Sequence, residues 1–241
     1  AALAGAASAS VLAGALWATA SVAGAAVPAV TVQQLVAAAI SAANSERAVT
    51  WRGSERAGGQ SVVEVARAGR GDGTETLDAH LAGEHLSVQV VLVGGTAYVR
   101  SDELGLALVV GLNPTAAKQE AGKWIAVPQS AGTLYTSLAN GLTVSSATSI
   151  LDMVGSLSVA PGPTVHGQRV LAVTEVHHSG LTSVTNTAYI RARGVPLPVE
   201  VVQRTTGTQN LAQRVVFSAW GRLPVSKPPQ GAVAFKPSWS R

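Results

Sequence analysis

His85-Leu-Ser-Val-Gln-Val-Val-Leu-Val-Gly-Gly-Thr-Ala-Tyr-Val-Arg100 decides the class of fold. Leu86, Val88, Val90 and Leu92 alternate with Ser87 and Gln89, the period of a strand with one buried face. Gly94-Gly95 lies between two β-rich runs and predicts a tight hairpin turn, because both central positions of a type I′ turn need positive φ. The chain returns as Thr96 to Arg100. Ser101 is then placed to cap a short helix whose first turn carries Asp102 and Glu103, where the helix dipole favours anions. Asn113-Pro114 supplies the cap and first residue of a second helix, Gly122 stops it, and Lys123 to Val127 reads as a short strand.

The same punctuation extends upstream. Ala48 to Arg56 and Ser61 to Ala68 are joined by Gly58-Gly59; Gly69-Arg-Gly-Asp-Gly73 turns into Thr74 to Leu81; Gly83-Glu84 leads into the strand at His85. Successive strands with tight turns predict an antiparallel meander. Arg70-Gly71-Asp72 matches an adhesion tripeptide, but Gly and Asp are also what a turn demands. Before the strands, Val32, Leu35, Val36, Ala39, Ile40 and Ala43 fall at helical spacing. Downstream, Leu134, Tyr135, Leu138 and Leu142 suggest one helix, and Ile150, Leu151, Val154 and Leu157, capped by Ser145 or Ser146, another. These two helices are expected to form a lid on one face of the sheet. Strands resume at Gln168 to His178, Thr182 to Arg193, Leu197 to Thr206 and Asn210 to Trp220, before a tail marked by Pro224, Pro228, Pro229 and Pro237 that lacks donors for a sheet interior. The expected fold is α+β: a single strongly curved antiparallel sheet of about ten or eleven strands, a half-barrel, with helices on its concave face.

Tyr98-Val-Arg100, a short helix, Gly111-Leu112, a second helix and Ala121-Gly-Lys-Trp-Ile-Ala-Val-Pro128 together resemble a segment of actinobacterial cell-envelope proteins, the LppX/LprG-like and LolA-like lipid and lipoprotein carriers. The resemblance covers roughly Val30 to Pro237 in element order and is sharpest from Tyr98 to Pro128. It implies an apolar cavity for acyl chains between a curved sheet and its helices. On that expectation Leu86, Val88, Val90 and Leu92 form the floor, with Tyr98 in the signature segment, Trp124 at the mouth, and Leu134, Leu138, Ile150, Leu151 and Val154 in the lid; an ordinary packed core is the alternative for the same residues. The implied partner is a lipid or the acyl chain of a lipoprotein. Family members often carry a lipobox ending in cysteine, whereas here Val22-Ala23-Gly24 is followed by Ala25.

From Ala1 to Ser45 no residue is charged, and Val11 to Val30 is a nearly continuous Ala/Gly/Val/Leu run. That is the composition of a signal h-region or a membrane helix, and Ala23 and Ala25 fit an A-x-A cleavage pattern. Residues 1–29 are therefore expected to be a signal peptide or membrane anchor and 30–241 a lipid-binding domain with a Pro-rich tail, in an extracytoplasmic, cell-envelope location. Cysteine is absent, which excludes a disulfide framework and a thiolate site.

No G-x-S-x-G elbow, phosphate loop, H-E-x-x-H or dinucleotide fingerprint occurs. His177-His178 point to opposite faces of a strand, unsuited to one metal, and the carboxylates look scattered singly. No enzyme activity, cofactor or metal is expected. Charge divides the chain: from Ala160 onward nine Lys or Arg face two Glu, whereas up to Val159 eight face eleven Asp or Glu. A basic second half suggests an anionic membrane surface as a further partner. Few aromatic residues and no basic helix argue against nucleic acid. The rival to a carrier is a non-enzymatic structural or interaction protein of the envelope with a filled core, and the sequence sets no oligomeric state.

Overall fold

Thr31 opens the first helix with a capping box, its hydroxyl accepting from the Gln34 amide while the Gln34 side chain accepts from the Thr31 amide. The computed structural model describes residues 31–153, 155–207, 210–222 and 226–239. The segment expected to be a signal peptide or anchor, and Val154 and Pro224, lie outside the described residues.

Helix α1 (Val32–Ser45) buries Val36, Ala39 and Ala43 and leads into a meander: β1 (Val49–Ala57), β2 (Gln60–Ala68), β3 (Gly73–Leu81), β4 (Glu84–Val93) and β5 (Thr96–Ser101). Short helices follow. The first, α2 (Glu103–Gly105), is capped by Asp102, not by Ser101, and runs into a π-helical turn at Leu106–Val110. Ser101 faces inward and bonds the Ser87 carbonyl instead, at 2.7 Å. Helix α3 (Pro114–Glu120) has the Asn113 cap and Pro start that its sequence demands, and β6 (Ile125–Pro128) follows. Helices α4 (Thr133–Ala139) and α5 (Val144–Thr148) precede β7 (Ser156–Val165), β8 (Gln168–Ser179), β9 (Thr182–Arg191), β10 (Pro198–Thr206), β11 (Leu211–Ser218) and β12 (Val233–Ala234).

The twelve strands among the described residues form one sheet that does not close, ordered β12-β6-β5-β4-β3-β2-β1-β11-β10-β9-β8-β7. Every pairing is antiparallel except β12 with β6. The chain therefore meanders outward from β1 to β6, crosses on α4 and α5 to the far edge at β7, and meanders back until β11 pairs with β1, while β12 later adds the other edge beside β6. That crossing is why helices cover one face, here called inner. One buried cluster joins inner-face residues such as Leu86, Val99 and Val173 to Val36, Leu138, Val144 and Leu151 from the helical segments. Each large apolar side chain so buried contributes roughly 1.5–3 kcal/mol.

Two strands exceed the sequence expectation. Strand β7 contains Pro161-Gly162-Pro163, which resembles a turn, yet it stands at the sheet edge and absorbs a register shift between Pro161 and Thr164. Leu157 belongs to this strand and not to the expected helix, which ends after α5 in a single 3-10 turn at Ser149–Leu151. The proline-rich tail supplies the opposite edge as β12 and lays Phe235 and Trp239 against the core.

Candidate functional site

Side chains alternate along a strand, so the pairing register sorts every residue to a face. On the inner face Leu77 stands beside Glu64, Gly53, Val215, Val201, Ala188 and Val173 in one row across β3, β2, β1, β11, β10, β9 and β8. The next row, toward the β1–β2 turn, runs Ala79, Val62, Glu55, Gln213, Gln203, Asn186, Glu175. Beyond it lie Leu81, Leu211, Thr205 and Val184.

Burial varies within these rows, Ala79 and Glu175 of the second being buried and Leu77 and Glu64 of the first only half-buried. Val215, Val201, Ala188 and Val173 are buried, whereas Val62, Leu77, Leu81, Val184 and Leu211, with Gln203 and Gln213 among them, are only half-buried. At the β1–β2 end the inner face thus carries a half-buried strip of apolar side chains interleaved with amides, here called the trough, in which Val62, Leu77 and Leu81 pack against the edge of the core. At one end Asn186 donates to Glu175 at 2.9 Å, and Glu175 also accepts from the Gly155 amide.

The deep side of the trough is acidic. Glu55, Glu64 and Glu75 lie on β1, β2 and β3, all facing inward, each diagonal to the next in the register. Burial first, and the charge of Glu64 second, pushes the Glu75 carboxyl up to about 8. Burial and then Glu55 raise Glu64 as well. Glu75 is therefore largely a neutral acid at pH 7, able to donate a hydrogen bond. Gly53 makes room: a Cβ there would stand 3.2 Å from Glu64 Oε2 and 3.0 Å from the Trp51 ring. Trp51 is held in turn by its indole N–H, which donates to the Gly141 carbonyl at 2.8 Å.

The residues expected from sequence to line a cavity are distributed as follows. Leu86, Val88, Val90 and Leu92 face inward but are only 1–4% exposed, packed with Leu138 and Leu151 in the filled part of the core. Ile150 is half-buried against that core. Leu134 borders a separate cleft of about 560 Å³ with Val110, Ala131 and Phe235. Tyr98 alternates with inward Ala97 and Val99 and so faces outward; Trp124 is on that side too, with the Arg100 guanidinium 5.0 Å from its ring centre. The carboxylates that look scattered in sequence are not: three of them converge across adjacent strands. Their signal was phase. Glu64 keeps step with Val62 and Ala66, and Glu75 with Leu77 and Ala79, the buried set of each strand.

Among solved structures, the lipoprotein LppX of Mycobacterium tuberculosis superposes with a TM-score of 0.50 at 12% identity, over 82% of this chain and 100% of that one. The fold is LppX-like. A LolA superfamily protein from Nitrosomonas europaea gives a TM-score of 0.33 at 8% identity, over 82% of this chain and 96% of that one. No protein-family model and no curated protein matches the sequence. Among the described residues no group of three His, Cys, Asp or Glu is placed to hold a metal.

Proposed function

We propose that this protein is an extracytoplasmic lipid-binding, carrier-like protein without catalytic activity, and that acyl chains lie in the inner-face trough over Val62, Leu77, Leu81, Val184 and Leu211. The observation that carries the reading is the half-buried strip of mixed apolar and amide side chains on the inner face of an LppX-like sheet. Each methylene taken from water contributes roughly 0.8 kcal/mol, so a long chain binds without a dedicated motif. Gln203, Gln213 and a protonated Glu75 offer hydrogen bonds to a head group, while Glu55 and Glu64 disfavour a bare carboxylate beside them. Neutral, hydroxyl- or amide-bearing lipids are therefore preferred over free fatty acids. The uncharged apolar run at Val11–Val30 supports the extracytoplasmic address. No helix among the described residues is long and apolar enough to cross a membrane.

An environment-sensitive apolar dye tests the site. The dye is expected to bind, to be displaced by a neutral monoacylglycerol at lower concentration than by a fatty acid, and to lose at least tenfold in affinity in Val62→Trp. Dye binding unaltered by Val62→Trp removes the trough from the account. A second reading, an interaction protein with a filled core, draws on the tight burial of Leu86 to Leu92; absence of any dye or lipid uptake favours it.

A further inference from the structure

The face of the sheet away from the helices has the opposite electrostatic character. On β1, β2, β10 and β11 it carries Arg52, Arg56, Arg67, Arg204 and Arg214, all exposed, against Glu200 as the one acid of that face on those strands. Asp78 is the nearest further acid, on β3. The carboxylates of β1 and β2, Glu55 and Glu64, point through to the inner side. Glu200 is itself spoken for: Arg214 Nε and Nη2 donate to its two oxygens at 2.8 and 2.7 Å, and His166 Nε2 lies 3.1 Å from Oε2. Burial opposes that carboxylate, but the bonds and charge of Arg214 and His166 outweigh it and hold its pKa below the ordinary range. Arg52, Arg56, Arg67 and Arg204 enter no ion pair among the described residues.

From this we infer that the outer face is a docking surface for an anionic lipid bilayer. Four free guanidiniums on β2, β1 and β10, within a span of four neighbouring strands about 4.8 Å apart, form a patch and not a groove. A broad patch fits a plane of phosphates better than a single strand of nucleic acid, and among the described residues no aromatic ladder for stacking accompanies it. Guanidinium groups bind phosphate bidentately. Beside Arg204, at the β9 margin of the patch, Thr185, Thr187, Tyr189 and Val202 border a cleft of about 520 Å³ that also holds the Arg214–Glu200 pair, so that Arg204 is its one unpaired cation among the described residues. Val65, 41% exposed and paired with Arg52, adds apolar contact at the surface. This inference stands apart from lipid uptake in the trough, because it rests on the other side of the sheet.

Vesicle flotation with the full chain tests it, using phosphatidylcholine vesicles with and without 30% phosphatidylglycerol as the probe. Preferential binding to the anionic vesicles is expected, weakening steeply from about 0.1 to 1 M salt as the screening length falls from about 10 to 3 Å. Each basic residue at such a surface is worth about fivefold, so Arg52→Gln/Arg56→Gln/Arg204→Gln is expected to bind on the order of 100-fold more weakly. Lys118→Gln, on helix α3, is expected to change binding less than twofold, and circular dichroism melts of both variants are expected to match the parent. Equal binding to neutral vesicles, or a triple variant that keeps its preference, overturns the inference. So does retention of the parent on a soluble polyanion such as heparin without vesicle binding, which assigns the patch to an acidic polymer.

Discussion

Trp51 shows how single residues hold the inner face together. Its ring lies over Gly53 and against Gly141, and a Cβ on Gly141 would approach the ring to 2.8 Å at a φ of +78°. Gly141→Ala is therefore expected to cost about 2 kcal/mol, from overpacking and a left-handed backbone together, read as a lowered midpoint in urea. Glu75 gives a pH signature. Its folded pKa of about 8 lies above the ordinary carboxylate value, so the folded state holds a proton that the unfolded state has lost. Stability is then greatest below about pH 4.5 as far as this group is concerned, falls as pH rises through about 8, and levels off above. Glu75→Gln is expected to remove most of that slope and to stabilise the protein at pH 8 by at least about 1 kcal/mol, as melts at pH 5 and 8 will show. An unchanged slope would mean that Glu75 ionises freely in the fold.

Among the elements, the hairpins and helix caps were legible because their chemistry is local. Gly58-Gly59, Gly94-Gly95 and Asn113-Pro114 each do in the structure what their residues require. What stayed hidden is set by position in the sheet. Pro161-Gly162-Pro163 belongs to a strand only because β7 is an edge, and the edge is created by the crossing of α4 and α5. The trough was hidden for the same reason. Alternation identifies Leu86, Val88, Val90 and Leu92 as inward, but it cannot say whether helices fill the space above them, which here they do. The two situations are separable: Val90→Trp is expected to cost about 1–3 kcal/mol by overpacking, whereas Val62→Trp, in the half-buried strip, is expected to change stability by less than about 1 kcal/mol while weakening lipid binding. Comparable denaturation midpoints for the two variants would contradict this division of the inner face.

For the whole molecule, one sheet separates two environments. Its inner side is apolar and acidic, with helices laid across part of it; its outer side is open and rich in arginine. The division of charge between the two halves of the sequence is only a shadow of this arrangement, since the arginines of β1 and β2 come from the nominally acidic half. Face, not sequence position, organises the charge. The central claim is that the inner face holds lipid, and native mass spectrometry with lipid extraction, on protein purified from its native cells, tests it most directly. The account predicts a bound species at defined stoichiometry whose extract is an acyl lipid with a neutral polar head group, and which Val62→Trp loses. A clean apo mass that persists after phospholipids and neutral acyl lipids are offered would contradict it.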